Sequence, residues 1–350
     1  MIELAPWYAQ TDRLRRLAGC CLDALGWGPE ETPSQPVFAE PCLTLRRYDD
    51  GPAGKPAVLL IPAPIKAAYI WDLLPAVSAV RRCREGGLRV YLMQWRAPGE
   101  GERGFGLADY ADRLVGDALD AIRAETGQAS VVLIGHSLGG TCAALFAALH
   151  PERVRGLVLL ASPLHFGPET GLFGPAVAEL PNARTLTVQL GNVPGSVING
   201  LCLLASPATF DWSRRWDWWC SLLSPAALRT HLLVERWTLD EMPLAQRLFE
   251  ELVELLYRED RFMRGTLRIG GRAATPQQVR APLLSVVDRH CQIVPPQAVL
   301  PFHRAVGGGH LLWYAGDVGV SLQHVGMLVG ESAHRHLWPR IVRWVQGHAG

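Results

Sequence analysis

Val131-Val-Leu-Ile-Gly-His-Ser137-Leu-Gly-Gly140-Thr-Cys-Ala-Ala-Leu-Phe-Ala-Ala-Leu149 is the stretch on which the reading of this chain turns. Val131–Ile134 is a short continuous apolar run, the kind a parallel sheet buries on both faces, and Thr141–Leu149 reads as an apolar helix. Between them lies Gly-x-Ser-x-Gly. A sharp turn from strand to helix forces its middle residue into a strained backbone conformation, and glycines two residues either side remove the side chains that would collide there. Ser137 is thereby pushed clear of the sheet at a helix N-terminus, where N–H groups and the helix dipole favour a developing negative charge. It is the candidate nucleophile. The N–H of Leu138 is one oxyanion donor. The second belongs to the loop after the strand Pro56–Ile61. Pro62 and Pro64 have no N–H, which leaves Ala63 or Ile65, and Ile65 is assigned.

Outward from this turn, strands and helices alternate. Pro56–Ile61, Leu88–Met93 and Leu157–Ala161 read as strands, and Asp109–Glu125 as a helix with Tyr110, Leu114, Ala118, Ala121 and Ile122 at helical spacing. The rhythm changes at Ser162 and resumes at Pro282–Val287, Leu311–Tyr314 and a final helix, Ala333–Gln346. The pattern implies a mostly parallel α/β sheet with helices on both faces. Residues 40–162 and 276–350 form the core. An inserted, mainly helical cap spans 163–275, bounded near Pro163 and Pro276, and an N-terminal helical segment spans 1–39. The cap is expected to cover Ser137.

The 350 residues carry 34 Lys+Arg and 33 Asp+Glu, a formal net charge of +1. With no basic excess to grip phosphates, nucleic acid is not an expected partner. Hydrophobic residues make up 49% and charged residues 19%, so the chain can bury a large core. The N-terminus lacks the basic-then-apolar order of a signal peptide. The longest apolar stretch, 186–210, is broken by Gln189, Asn192, Pro194, Asn199 and Pro207, so no transmembrane segment is expected. The 8 cysteines form no CxxC pair and read as free thiols in a reducing cytoplasm. His334 and His336, two apart on a helix, point to opposite faces and cannot make a two-ligand metal site. No metal is expected. The Trp212–Trp219 cluster reads as cap core, with an acyl pocket or a docked partner as alternatives. Arg13–Arg16 reads as a solvated helix face.

A serine nucleophile needs a base, and the base needs an orienting acid. His324, between the last strand and the C-terminal helix, stands where the base belongs; His310 precedes that strand and is read as structural. The acid should follow Leu284–Val287 in a turn of the form D-x-x-V-P. That turn reads Asp288-Arg-His-Cys-Gln-Ile-Val-Pro295, and the carboxylate position is occupied by Cys291. Asp288, three residues early, is the first candidate and Asp317 the second. A Ser-His pair without an acid is the third.

In order along the chain, Val58-Leu-Leu-Ile-Pro62, Tyr69-Ile-Trp-Asp-Leu73, Val90-Tyr-Leu-Met-Gln-Trp95, Leu107-Ala-Asp-Tyr110, Gly191-Asn-Val-Pro-Gly195, Glu235-Arg-Trp237 with Asp240, Ile293-Val-Pro-Pro296 and His324-Val-Gly326 resemble the conserved blocks of polyhydroxyalkanoate (PHA) synthases, above all the class III catalytic subunit. The resemblance implies an α/β-hydrolase fold with an inserted cap, and acyl transfer from coenzyme A to a nucleophile and then to a growing polyester. It also marks departures. Ser137 stands where the family has cysteine, the family's catalytic aspartate maps onto Cys291, and two further acids map onto Gln94 and His165. A thiolate exchanges readily with a thioester, whereas a serine ester is more stable. The expected activity is therefore a serine acyl hydrolase acting on esters or thioesters of short hydroxyacyl chains. It uses no cofactor, with a coenzyme A thioester as one candidate substrate. The alternatives are a PHA synthase or acyltransferase, and a weakened paralogue that binds a polyester granule or an accessory synthase subunit. A homodimer is compatible with all three.

Overall fold

The structure is a computed structural model and describes residues 4–48, 54–206, 208–317, 319–320 and 323–349. Its centre is an eight-stranded sheet. The strands are β1 (Gln35–Glu40), β2 (Leu43–Arg47), β3 (Ala57–Ile61), β4 (Arg89–Trp95), β5 (Val131–His136), β6 (Val154–Leu160), β7 (Leu283–Asp288) and β8 (His310–Tyr314). They lie in the order β1-β2-β4-β3-β5-β6-β7-β8, antiparallel at the β1 end and parallel from β4 onward.

The parallel strands are apolar along their length because both faces are covered. Side chains alternate between the faces. Leu59, Ile61, Met93, Leu133 and Leu159 pack with helices α3 (Leu114–Thr126) and α4 (Leu138–Leu149). Val58, Leu60, Leu92, Ile134 and Leu160 pack with α2 (Ala79–Glu85) and the helix Trp338–Ala349. Trp71 and Trp338 are fully buried on that second face.

β1 and β2 were not among the expected strands. Pro36 and Pro41 punctuate that segment, but Pro36 sits on the edge strand, where a missing N–H breaks no interior ladder. Cys42, at φ 69°, makes the tight turn between them.

Between β6 and β7 come α5 (Phe173–Glu179), α6 (Ala183–Leu190), α7 (Gly195–Ala205), α8 (Ser213–Ser221), α9 (Pro225–Thr238), α10 (Gln246–Glu251) and a small hairpin, Leu267–Ile269 with Arg272–Ala274. The N-terminal helix α1 (Leu4–Leu22) packs onto this block through polar side chains. Asp12 accepts from the N–H groups of Gly195 (3.1 Å) and Ser196 (2.8 Å), a carboxylate on the N-terminus of α7. Arg15 pairs with Glu241 at 2.8 Å, and Arg236 of α9 binds both carboxylate oxygens of Asp23 at 2.6 and 2.8 Å. The Arg13–Arg16 reading is corrected here: Arg13 and Arg16 are exposed, but Arg15 turns inward. Leu14 and Leu17 face outward instead, at 58% and 55% exposure. No helix among the described residues is long and apolar enough to cross a membrane.

Candidate active site

Ser137 joins β5 to α4 with φ 54° and ψ −133°, a conformation that an L-residue holds only when its surroundings enforce it. Its N–H donates to Leu160 O at 3.0 Å, and its carbonyl accepts from Gly140 N at 2.9 Å, closing the first turn of α4. The flanking glycines are required by contact. A Cβ on Gly135 would lie 2.4 Å from Gly140 Cα, and one on Gly140 would lie 1.8 Å from Ser162 Oγ. On Gly139 it would meet the carbonyl oxygens of Ile61 at 2.1 Å and Pro62 at 2.4 Å. Gly139→Ala must therefore displace the end of β3. We expect it to cost about 1–3 kcal/mol and several degrees of melting temperature, read by circular dichroism. An unchanged melting curve would show that the elbow is less tightly held than these contacts require.

Ser137 faces a cavity of about 410 Å³. The core contributes Ala63, Ile65, His136, Leu138, His324 and Val325, and the insertion contributes Phe173, Val177, Ile198, Leu201, Phe249 and Tyr257. Ala63 and Ile65 both line it, and Ile65 O also accepts from Met242 N at 3.0 Å, which ties the loop to the insertion.

His324 is buried beside this cavity, and its Nε2 has no hydrogen-bond partner. Its Nδ1 lies 3.4 Å from Cys291 Sγ. The same sulfur accepts from Val294 N at 3.4 Å. Burial pushes the Cys291 thiol up to about 12, so the sulfur stays protonated and uncharged. Burial, and then the neighbouring His136, hold His324 well below the ordinary histidine range.

Of the two candidate acids, neither reaches the imidazole. Asp288 Oδ1 accepts from His290 N at 2.8 Å, capping the turn in which it sits. Asp317 accepts from Ser332 Oγ at 2.6 Å, from Ser332 N at 2.9 Å and from the Tyr314 hydroxyl. The assignment of Asp288 as the orienting acid is therefore corrected: its short side chain is spent locally, and Cys291 is the residue against Nδ1.

His136 was not singled out in the sequence. Its ring packs on His324 with centroids 4.6 Å apart, and its Nε2–H donates to the His324 carbonyl at 3.0 Å. Burial lowers it to about 4, so it positions the His324 backbone as a neutral ring. Its place immediately before Ser137 was the one available signal. At the insertion side, Lys66 Nζ lies 2.6 Å from Glu241 Oε1 and over the Trp237 ring at 5.1 Å. His165 Nδ1 lies 2.7 Å from Asp260 Oδ2, and Gln94 accepts from Arg46 at 3.4 Å.

His334 is buried with Nε2 2.6 Å from Leu328 O, while His336 is exposed. No group of three His, Cys, Asp or Glu side chains that could hold a metal occurs among the described residues.

Sheet order, strand–elbow–helix turn and inserted block together define an α/β-hydrolase-fold enzyme. A family model described as the alpha/beta hydrolase fold matches residues 56–194. A carboxylesterase structure from the thaumarchaeon Nitrososphaera gargenis superposes with a TM-score of 0.54 at 14% identity, covering 90% of this chain and 99% of that one. In sequence the chain is similar to PHA synthase subunits. It is 28% identical over 319 residues to poly(3-hydroxyalkanoate) polymerase subunit PhaC of Haloferax mediterranei, covering 90% of this chain and 64% of that protein, so it spans just under two thirds of that relative. It is 26% identical over 318 residues to the subunit of the same name from Allochromatium vinosum, covering 90% and 88%.

Proposed function

We propose that the chain is a serine acyl hydrolase of the cytoplasm, acting on esters or thioesters of hydroxyacyl chains. The observation that supports it best is Ser137, held at φ 54° on the elbow and lining the same cavity as His324, whose Nε2 has no hydrogen-bond partner. Ser137 Oγ attacks the acyl carbonyl while its proton passes to His324 Nε2. The N–H groups of Leu138 and Ile65 take the charge on the carbonyl oxygen. His324 returns the proton to the departing alcohol or thiol. Water, deprotonated by the same imidazole, then releases the acid and restores Ser137. No cofactor enters these steps, and coenzyme A would take part as a leaving group.

A second reading, acyl transfer to a hydroxyl, is favoured by the likeness to PhaC subunits over 90% of the chain. Both share the acyl-serine, so a fluorophosphonate probe followed by peptide mass spectrometry tests their common step. Modification at Ser137, absent from Ser137→Ala, is the expected result. An unmodified Ser137 in folded protein would overturn both. Free hydroxy acid from 3-hydroxybutyryl-CoA then marks hydrolysis, and oligoester marks transfer.

A further inference from the structure

We propose that the phenolic hydroxyl of Tyr257 sets acyl specificity by hydrogen-bonding a hydroxyl carried on the acyl chain. This rests on the reading of the cavity as the acyl site of a serine enzyme, and it names a residue that selects within that site. The tryptophans of α8 do not build the pocket. Their sequence reading as cap core is corrected here: Trp212, Trp216 and Trp219 are 73%, 69% and 66% exposed, and none of the three lines the cavity. The wall on the insertion side comes largely from α5, α7, α10 and the turn Leu252–Arg258 that follows α10, and Tyr257 stands on that turn.

Three observations single out this phenol. First, it has no partner. Tyr257 lines the cavity, and its hydroxyl makes no hydrogen bond with any described residue. Burial pushes the phenol above the ordinary tyrosine range, so it stays protonated and can donate. The ionisable group that acts on it, the Cys202 thiol, is itself neutral, pushed up to about 12. A polar group enclosed among apolar side chains without a partner is destabilising, and a ligand oxygen set against it relieves that penalty. Second, the ring is held before anything binds. Phe166 packs on it with centroids 4.6 Å apart at 57°, and Phe173 meets it edge-on at 6.2 Å and 83°. Leu252–Arg258 is a π-helical turn, a widened backbone that recurs at functional sites. A hydroxyl on a fixed ring can tell a chain that carries an oxygen in the right place from one that does not. Third, the charges in the wall are already matched, which makes the ligand group a neutral one. Lys66 Nζ lies 2.6 Å from Glu241 Oε1 and 3.1 Å from Thr238 O, and Arg214 makes a two-pronged pair with Glu235. A carboxylate on the acyl chain would meet no free cation there, whereas a hydroxyl accepts from the phenol without bringing a charge into the cavity. The Asn199 side chain of α7 also lines the cavity without a hydrogen-bond partner among the described residues, and it serves as the control.

The full chain is tested with 3-hydroxybutyryl-CoA and 4-hydroxybutyryl-CoA against butyryl-CoA. Steady-state kinetics gives kcat/KM for each, and calorimetry gives their binding to Ser137→Ala protein, in both cases with and without Tyr257→Phe. We expect the better of the two hydroxy thioesters to exceed butyryl-CoA by about tenfold in kcat/KM, through KM, and the ratio to fall to about one in Tyr257→Phe. The same ratio should appear in binding. Asn199→Ala should keep it. A ratio near one in the parent would overturn the proposal, and so would a ratio that survives in Tyr257→Phe, because an equal loss on all three thioesters is what a merely structural role gives. A ratio that collapses in Asn199→Ala but not in Tyr257→Phe would assign the hydroxyl to α7 and also overturn it. If the parent turns over none of the thioesters, the hydrolase reading fails, while the binding ratio in Ser137→Ala protein still decides the role of Tyr257. Neither turnover nor binding would overturn both.

Discussion

Cys291→Asp is expected to raise kcat on soluble esters by about two orders of magnitude, because the loss of an orienting acid from complete triads costs on the order of 10⁴. The base must present a lone pair at Nε2, so its proton must sit on Nδ1. A carboxylate at Nδ1 fixes that tautomer and stabilises the imidazolium formed when Ser137 gives up its proton. Cys291 does neither well. Its thiol is neutral, and it can either donate its own hydrogen to Nδ1 or accept one, which leaves the tautomer unsettled. The Val294 N–H, which now points at the sulfur, would hold a carboxylate in the same place. The pH profile supplies an independent reading. Protonation of His324 removes the base, so activity falls as pH drops through its pKa. In the parent that value is held well below 6.5, and the acid limb of kcat/KM should lie there. A new negative charge favours the imidazolium, so the limb should move up in the variant. Cys291→Asn, neutral and of similar size, should give neither the gain nor the shift. A gain in both variants would refute the charge argument.

The largest loss is expected from Ser137→Ala, on the order of 10³ or more in kcat, since removing the nucleophile of an intact triad costs on the order of 10⁶ and this site begins weaker. The fold should survive, because the bonds that shape the elbow, Ser137 N to Leu160 O and Gly140 N to Ser137 O, are main-chain. Steady-state turnover of p-nitrophenyl butyrate, with a melting curve beside it, measures both. Turnover within a few-fold of the parent would place the chemistry elsewhere in the cavity.

The elbow and the parallel strands were legible in the sequence for a local reason. Strand, glycines, serine and helix lie within twenty residues, and each constrains the next. The antiparallel pair β1 and β2 was not, since its prolines speak against strands until the edge position is known. The acid position showed its departure in one turn, but that Asp288 turns to its own backbone depends on where a two-bond side chain points. The indoles of α8 illustrate the reverse error: helical spacing says that they share a face, and nothing local says whether that face meets protein or water. His136 meets the His324 carbonyl across 188 residues of sequence and Asp217 meets Gln323 across 106, relations that only the folded chain reveals.

Chain order also has a consequence in time. α1 and the turn after it fasten the inserted block through Arg15 to the Thr238 carbonyl and through Asp23 to Arg236, partners 223 and 213 residues further on. At about 5–20 residues per second of synthesis, the helix waits roughly 10–40 s for them. Throughout that interval the Thr238 carbonyl and the Arg236 guanidinium that this segment will bind do not exist. α1 is therefore set only after the inserted block has been made, and the enclosure around Ser137, whose lining runs to Val325, is completed later still.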